Sequence, residues 1–227
     1  MSSLQGHRAL VTGASSGIGR ALAEALARRG AALVLTARRQ PELDAAAAAL
    51  RDAHGVAVET IALDLAAPDA AATLWQRATA DGAVSMLINN AGFGQYRRFA
   101  EVDPARDAEL IALNVAAPVA LAHAFVAATA PTPRRYLLNV ASIVAWQAIP
   151  HFATYGASKV FLRNFSEALH YELAPRGVGV TCLCPGGTRT EFHAVAGAGD
   201  YGRVSRAAML DAAPVAEAGV RGLLAGK

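Results

Sequence analysis

Short runs of aliphatic and β-branched residues alternate along this chain with longer stretches in which apolar positions recur every three or four residues. Residues 8–12, 33–36, 56–63, 84–89, 135–141 and 178–184 read as strands. Residues 17–29, 41–53, 68–80, 104–130, 155–173 and 214–224 read as helices. Gly30 and Gly55 close the first two, and Pro41 opens the second, where a proline is well tolerated in the first turn. Strands alternating with helices of this length predict βαβ units and a parallel sheet. Right-handed crossovers then put helices on both faces of it. No internal repeat and no linker rich in Pro, Gly or Ser divides the chain, so residues 1–227 are expected to form one domain.

Composition narrows the class. The hydrophobic share is 54%, much of it alanine, and the net charge is +3, which excludes a disordered chain. Two cysteines, Cys182 and Cys184, cannot make a disulfide scaffold and, lacking further ligands at metal spacing, make a poor zinc site. The arginines fall in scattered pairs without interleaved aromatics, so a nucleic-acid surface is not expected. The start of the chain lacks the plan of a signal peptide. The longest apolar run, 115–130, is too short and too interrupted by Pro118 and His123 for a membrane span. A cytoplasmic protein without membrane or nucleic-acid partners is the expectation.

The first strand runs into Thr12-Gly13-Ala14-Ser15-Ser16-Gly17-Ile18-Gly19 and then into a helix. Glycines there allow a tight turn and a close approach of backbone to a pyrophosphate, and the helix start offers free N–H groups. The same letters fit a hydrolase nucleophile elbow around Ser15, but only one strand precedes them, whereas that fold needs several. No Gly-Lys-Ser/Thr follows, so a P-loop is excluded. After the second strand, where an NAD site carries a carboxylate, the chain has Arg38 and Arg39. Guanidinium groups suit a ribose 2′-phosphate, so NADP(H) is favoured, with NAD(H) as the second option. Two solvated arginines would read the same way.

Lysine occurs only at Lys159 and Lys227, so an interior lysine stands out. Lys159 follows Tyr155 by one helical turn, which puts both on one face. A cation beside a phenol favours the phenolate and would fit Tyr155 for acid/base work, although an ordinary exposed helix pair has the same spacing. Ser142 ends the fifth strand, where open α/β sheets place their ligands, and could hydrogen-bond a substrate oxygen.

With Asp64, Asn89-Asn90-Ala91-Gly92, Asn114, Tyr155-Gly-Ala-Ser-Lys159 and Pro185-Gly186, these motifs resemble the short-chain dehydrogenase/reductase family in its single-domain branch, over residues 6–190. The resemblance implies a three-layer Rossmann fold and hydride transfer between nicotinamide and a carbonyl or secondary alcohol. It implies Tyr155 as acid/base, Lys159 on the nicotinamide ribose, Ser142 on the carbonyl, and Asn114 holding a water in the proton relay. It implies cofactor contacts from Gly13, Ser15, Ser16, Gly17, Ile18, Gly19, Arg38, Arg39, Asp64, Leu65, Asn90, Ala91, Gly92, Pro185, Gly186, Thr188 and Thr190. Phe93, Trp146, Phe152 and Phe192 fall in loops that the family aims at its substrate, and His151 lies close by. No metal is implied. A catalytically idle dinucleotide-binding sensor or assembly protein is the alternative.

Family members continue into a seventh strand after the last helix. Here the sequence stops at Leu223-Leu224-Ala225-Gly226-Lys227, so a sheet of about six strands is expected. That strand supports tetramers in the family. The expected assembly is therefore a homodimer through the 114–130 and Tyr155 helices, with a tetramer in doubt.

Overall fold

A computed structural model describes residues 3–128, 134–197 and 209–227. Six strands, β1 (Arg8–Thr12), β2 (Ala32–Ala37), β3 (Val58–Ala62), β4 (Met86–Asn89), β5 (Arg135–Val140) and β6 (Val178–Leu183), form one parallel sheet in the order β3-β2-β1-β4-β5-β6. The sheet matches the Rossmann expectation. The order reverses direction between β1 and β4, which opens a crevice at the carboxyl ends of those strands.

Side chains alternate across each strand and so feed two cores. Val11, Leu33, Leu35, Ile88 and Leu138 pack under α1 (Gly17–Ala27), α2 (Gln40–His54) and α8 (Ala212–Ala225). Leu10, Val34, Leu87, Leu137 and Val180 pack on the other face, against α3 (Ala70–Ala78), α5 (Ala117–Ala127) and α6 (Ala153–Leu173). The helix α8 comes unusually close to the sheet at Gly219, where a Cβ would lie 2.9 Å from Leu183. Arg28 and Arg29 on the chain after α1 both pair with Glu217 of α8 and tie the two helices together.

Several predicted boundaries shift, each for a local reason. The first helix stops at Ala27, and Gly30 completes the turn at φ +91°. The helix expected from 68 begins at Ala70, because Asp69 takes a left-handed conformation (φ 56°). Val56 and Val84 lie outside the strands, since pairing with the neighbours begins at Val58 and Met86. The helix expected over 104–130 is two helices, α4 (Pro104–Ile111) and α5, joined by a π-helical turn at Ala112–Ala116; its last two predicted residues, 129 and 130, lie outside the described residues. A short helix α7 (Phe192–Val195) was not foreseen.

Candidate active site

The loop after β1 is built by close backbone approach. Gly13 sits at φ +67°, and a Cβ there would lie 2.9 Å from the Ala91 backbone. A Cβ at Gly19 would collide with the Gly13 carbonyl and the Asn90 amide. Asn90 Nδ2 donates to the Thr12 and Gly13 carbonyls at 2.9 and 3.2 Å, locking the turn after β4 against the loop after β1. Thr12 Oγ1 accepts from the backbone N–H groups of Asn90 and Ala91. The Ser16 backbone is extended at the start of α1, and neither a side-chain cap nor a carboxylate occupies that first turn. The positive end of α1, with Ser15, Ser16, Gly17, Ile18 and Gly19 around it, is thus free for an anion. Thr190 rests its methyl against Gly17.

Lys159 and Asn114 both approach Gly92, in the turn after β4. Lys159 is buried, donates to the Val140 carbonyl at 2.9 Å, and has its Nζ 5.7 Å from the centre of the Tyr155 ring. Burial lowers its pKa to about 8, partly offset by Cys182 and Cys184 nearby. Asn114 is fully buried in the π turn. Its side chain accepts from the Phe93 N–H (3.2 Å) and donates to the Phe93 carbonyl (3.0 Å) and to Ser158 Oγ (3.2 Å). Ser158 Oγ in turn donates to the Tyr155 carbonyl at 2.7 Å. A side chain at Gly92 would strike Asn114 Oδ1 at 2.9 Å and come within 3.6 Å of Lys159 Nζ. Ser142 follows β5, and its hydroxyl accepts from the Val144 N–H at 3.3 Å. Next to it the Pro185 carbonyl accepts from the Ile143 N–H, which joins the Pro185-Gly186 segment to the Ser142 turn.

The remaining predicted positions surround this centre less evenly. Arg38 lies 3.9 Å from Glu109, and Arg39 pairs with Glu42 and, at 2.8 Å, with Glu191. Asp64 accepts from the Ala66 N–H, and Leu65 is buried. Thr188 is buried and donates to the Gly186 carbonyl. Phe152 and Phe192 bring their rings within 5.3 and 5.2 Å of Tyr155. Phe93 is buried under the Arg106 guanidinium. His151 holds a left-handed backbone (φ 70°) with its ring against Tyr96. Trp146 is largely exposed and stacks on Arg163.

Two contributors were not assigned from sequence. Thr12 joins the two cofactor-side turns, and Ser158 connects Asn114 to the Tyr155 backbone. Both lie inside the motifs quoted above. The available signal was a hydroxyl placed where a strand or a helix would otherwise carry an apolar residue.

An uncapped helix start beneath close-packed glycines, facing a buried lysine across the sheet reversal, fits a pyrophosphate at one end and a nicotinamide ribose at the other. Fold and site define an oxidoreductase that uses a nicotinamide dinucleotide for hydride transfer. A family model described as short chain dehydrogenase matches residues 7–199. The chain belongs to the short-chain dehydrogenase/reductase family. An oxidoreductase of Myxococcus xanthus is 36% identical over 86% of this chain and 77% of its own. The short-chain dehydrogenase from Sphingobium yanoikuyae in complex with NADPH is 36% identical, with a TM-score of 0.90 over 97% of this chain and 85% of that one. The bulky-bulky ketone specific alcohol dehydrogenase from Comamonas testosteroni is 33% identical, with a TM-score of 0.83 over 95% of this chain and 82% of that one. The chain spans just over half the length, 54–55%, of several further curated relatives.

Proposed function

We propose that this chain is an NADP(H)-preferring carbonyl reductase or secondary-alcohol dehydrogenase in which Tyr155 is the general acid/base, with residues 1–227 working as one catalytic domain. The observation that carries this reading is Lys159, an ammonium buried at real energetic cost beside the Tyr155 ring and hydrogen-bonded to Val140. Such a charge is kept where it is used. When bound, the nicotinamide supplies or accepts the hydride. In reduction Tyr155 gives its hydroxyl proton to the substrate oxygen, and in oxidation it takes the proton from the alcohol. Ser142 Oγ hydrogen-bonds the same oxygen and sets its direction. Lys159 grips the ribose hydroxyls and biases Tyr155 toward releasing its proton. Asn114, clamped to Phe93 and Ser158, positions the relay that returns protons from solvent.

Arg38 and Arg39 bind the 2′-phosphate, exchanging their contacts with Glu109 and Glu191 for the ligand. The NADPH complex of the Sphingobium relative supports this preference. Phe93, Phe152 and Phe192 line an apolar substrate site with His151 at its edge, and the Comamonas relative supports bulky ketones as the substrate class. The protein works in the cytoplasm as a homodimer, without nucleic-acid or membrane partners.

The decisive experiment is Tyr155→Phe assayed with a panel of ketones, aldehydes and alcohols. Turnover is expected to fall by about 10²–10⁴-fold while NADPH affinity stays level; unchanged turnover overturns the assignment. In fluorescence titrations NADPH should bind more tightly than NADH, and Arg38→Ala should narrow that gap by about tenfold, the worth of one charged hydrogen bond. Equal binding of the two cofactors by the wild type overturns the NADP reading.

A further inference from the structure

Cys182, near the end of β6, and Cys184, just past it, alternate along extended chain and so present their thiols to the same side. The two sulfurs are 3.8 Å apart, and both residues are partly exposed. Leu183 between them turns the other way, against Gly219 of α8. Their surroundings differ. The hydrogen bond with Cys182, helped by the Trp146 side chain, the Ser142 backbone and the Arg163 charge, outweighs burial and pulls the Cys184 pKa below the usual thiol value. Hydrogen bonding to Cys184 and burial push the Cys182 thiol above the usual thiol range. Of the two partly exposed sulfurs, Cys184 is the one whose surroundings favour a nucleophile. The carbonyl chemistry proposed above uses neither.

We propose that Cys184 and Cys182 form an oxidisable dithiol in which the Cys184 sulfur attacks a hydroperoxide and Cys182 then closes a disulfide. The Cys184 thiolate displaces alkoxide or hydroxide from the peroxide, breaking the O–O bond and becoming a sulfenic acid. The Cys182 sulfur then attacks the Cys184 sulfur, expelling the sulfenic oxygen, which leaves as water with the Cys182 proton. Overall the dithiol loses two electrons and two protons, and the hydroperoxide is reduced to an alcohol, or to water, plus one further water. Residues two apart on a strand have Cα atoms about 6.6 Å apart, at the upper edge of what a disulfide spans. Closing the sulfurs from 3.8 Å to a bond therefore bends the chain at Leu183. The Leu183 carbonyl accepts from the Ala141 N–H at 2.8 Å and the Pro185 carbonyl from the Ile143 N–H at 2.9 Å, and these two bonds flank Ser142. Oxidation is expected to displace Ser142 and stop turnover, a consequence that rests on the proposed role of Ser142; the bond itself rests on the cysteine geometry alone.

The test treats the reduced full chain with hydrogen peroxide and reads intact mass, peptide maps and turnover on the same samples. Wild type should lose the mass of two hydrogens, with a crosslinked Cys182–Cys184 peptide, and dithiothreitol should restore it. Cys182→Ser should instead gain one oxygen at Cys184, trapped by dimedone, and Cys184→Ser should do neither and keep its turnover under peroxide. An unchanged wild-type mass, or equal oxidation of Cys184→Ser, overturns the dithiol. The crosslink with full turnover overturns the coupling to Ser142. A reduced chain that turns over no carbonyl counts against the proposed function instead, while the mass result still decides the dithiol.

Discussion

Lys159 is a buried ammonium whose setting a sequence reveals only in part. Its rarity in an arginine-rich chain drew attention to it, and its spacing put it on the Tyr155 face. Its burial, its bond to Val140 and its neighbouring thiols depend on how β5 and β6 meet α6, which no local pattern states. The burial has a measurable cost. Moving the lysine from its usual 10.5 to about 8 amounts to about 3 kcal/mol at ~1.4 kcal/mol for each tenfold change in proton affinity. The folded protein holds this proton below about pH 8, and the unfolded chain holds it up to about 10.5. Between those values the unfolded chain binds more protons, so stability rises with pH there, and below about 8 the full penalty applies. Lys159→Met should therefore stabilise the fold near neutral pH by about 2 kcal/mol, after about 1 kcal/mol for the lost bond to Val140. It should do so while abolishing turnover. Thermal denaturation of both proteins from neutral pH to about pH 10 checks this. The advantage of the methionine should shrink as pH rises, and a variant less stable at neutral pH would sink the argument.

Among the elements, the break between α4 and α5 is the feature that periodicity could not report. Residues 104–130 carry one continuous apolar pattern and were expected as one helix. Pro118 changes that. It has no N–H to give the carbonyl four residues back, which belongs to Asn114, and its ring crowds that carbonyl. The chain responds with a π turn, closed by the Ala117 N–H reaching the Ala112 carbonyl. The turn aims the Asn114 side chain at Phe93 and Ser158. A proline inside a helical pattern was visible in the sequence; that the result would be a π turn, with the chain continuing in line, was not. Pro118→Ala should restore regular helix, raise the thermal midpoint and pull Asn114 out of register with Phe93. Turnover is expected to drop about tenfold with NADPH affinity retained, since the loss falls on the relay and not on cofactor binding. Steady-state kinetics beside NADPH titration decide it, and undiminished turnover would mean that the π turn does not serve Asn114. The glycine loop, by contrast, was legible almost residue by residue, because close backbone contacts can be met only by glycine and the letters state them directly.

At the scale of the molecule, the parallel sheet and the helix layers on both of its faces followed from alternation and right-handed crossovers, but which outer helix face is the most apolar did not. After the charged first turns of α4, with Arg106, Asp107 and Glu109, the helical stretch Pro104–Ala127 is apolar, yet only 39% of its most apolar window is buried. Ile111 of α4 and Phe161 and Tyr171 of α6 are exposed, and Phe161 stacks on Phe165 to widen the patch. A hydrophobic surface on adjacent long helices asks for a cover, and the homodimer proposed above supplies it by a two-fold pairing of the same face. A stable interface needs roughly 1,000 Å² or more, within reach of two such helices contributed by each subunit. Because α6 also carries the buried Tyr155 and Lys159, packing its outer side would steady the face proposed above as catalytic. Light scattering coupled to size exclusion should give a dimer for the wild type. Ile111→Asp combined with Phe161→Glu should give a monomer, because dimerisation would bury both charges without partners, and the thermal midpoint should fall with the lost interface. A wild-type monomer at assay concentration would overturn the pairing. A double variant that stays dimeric would place the interface on another face and leave this apolar helix pair unexplained by self-association.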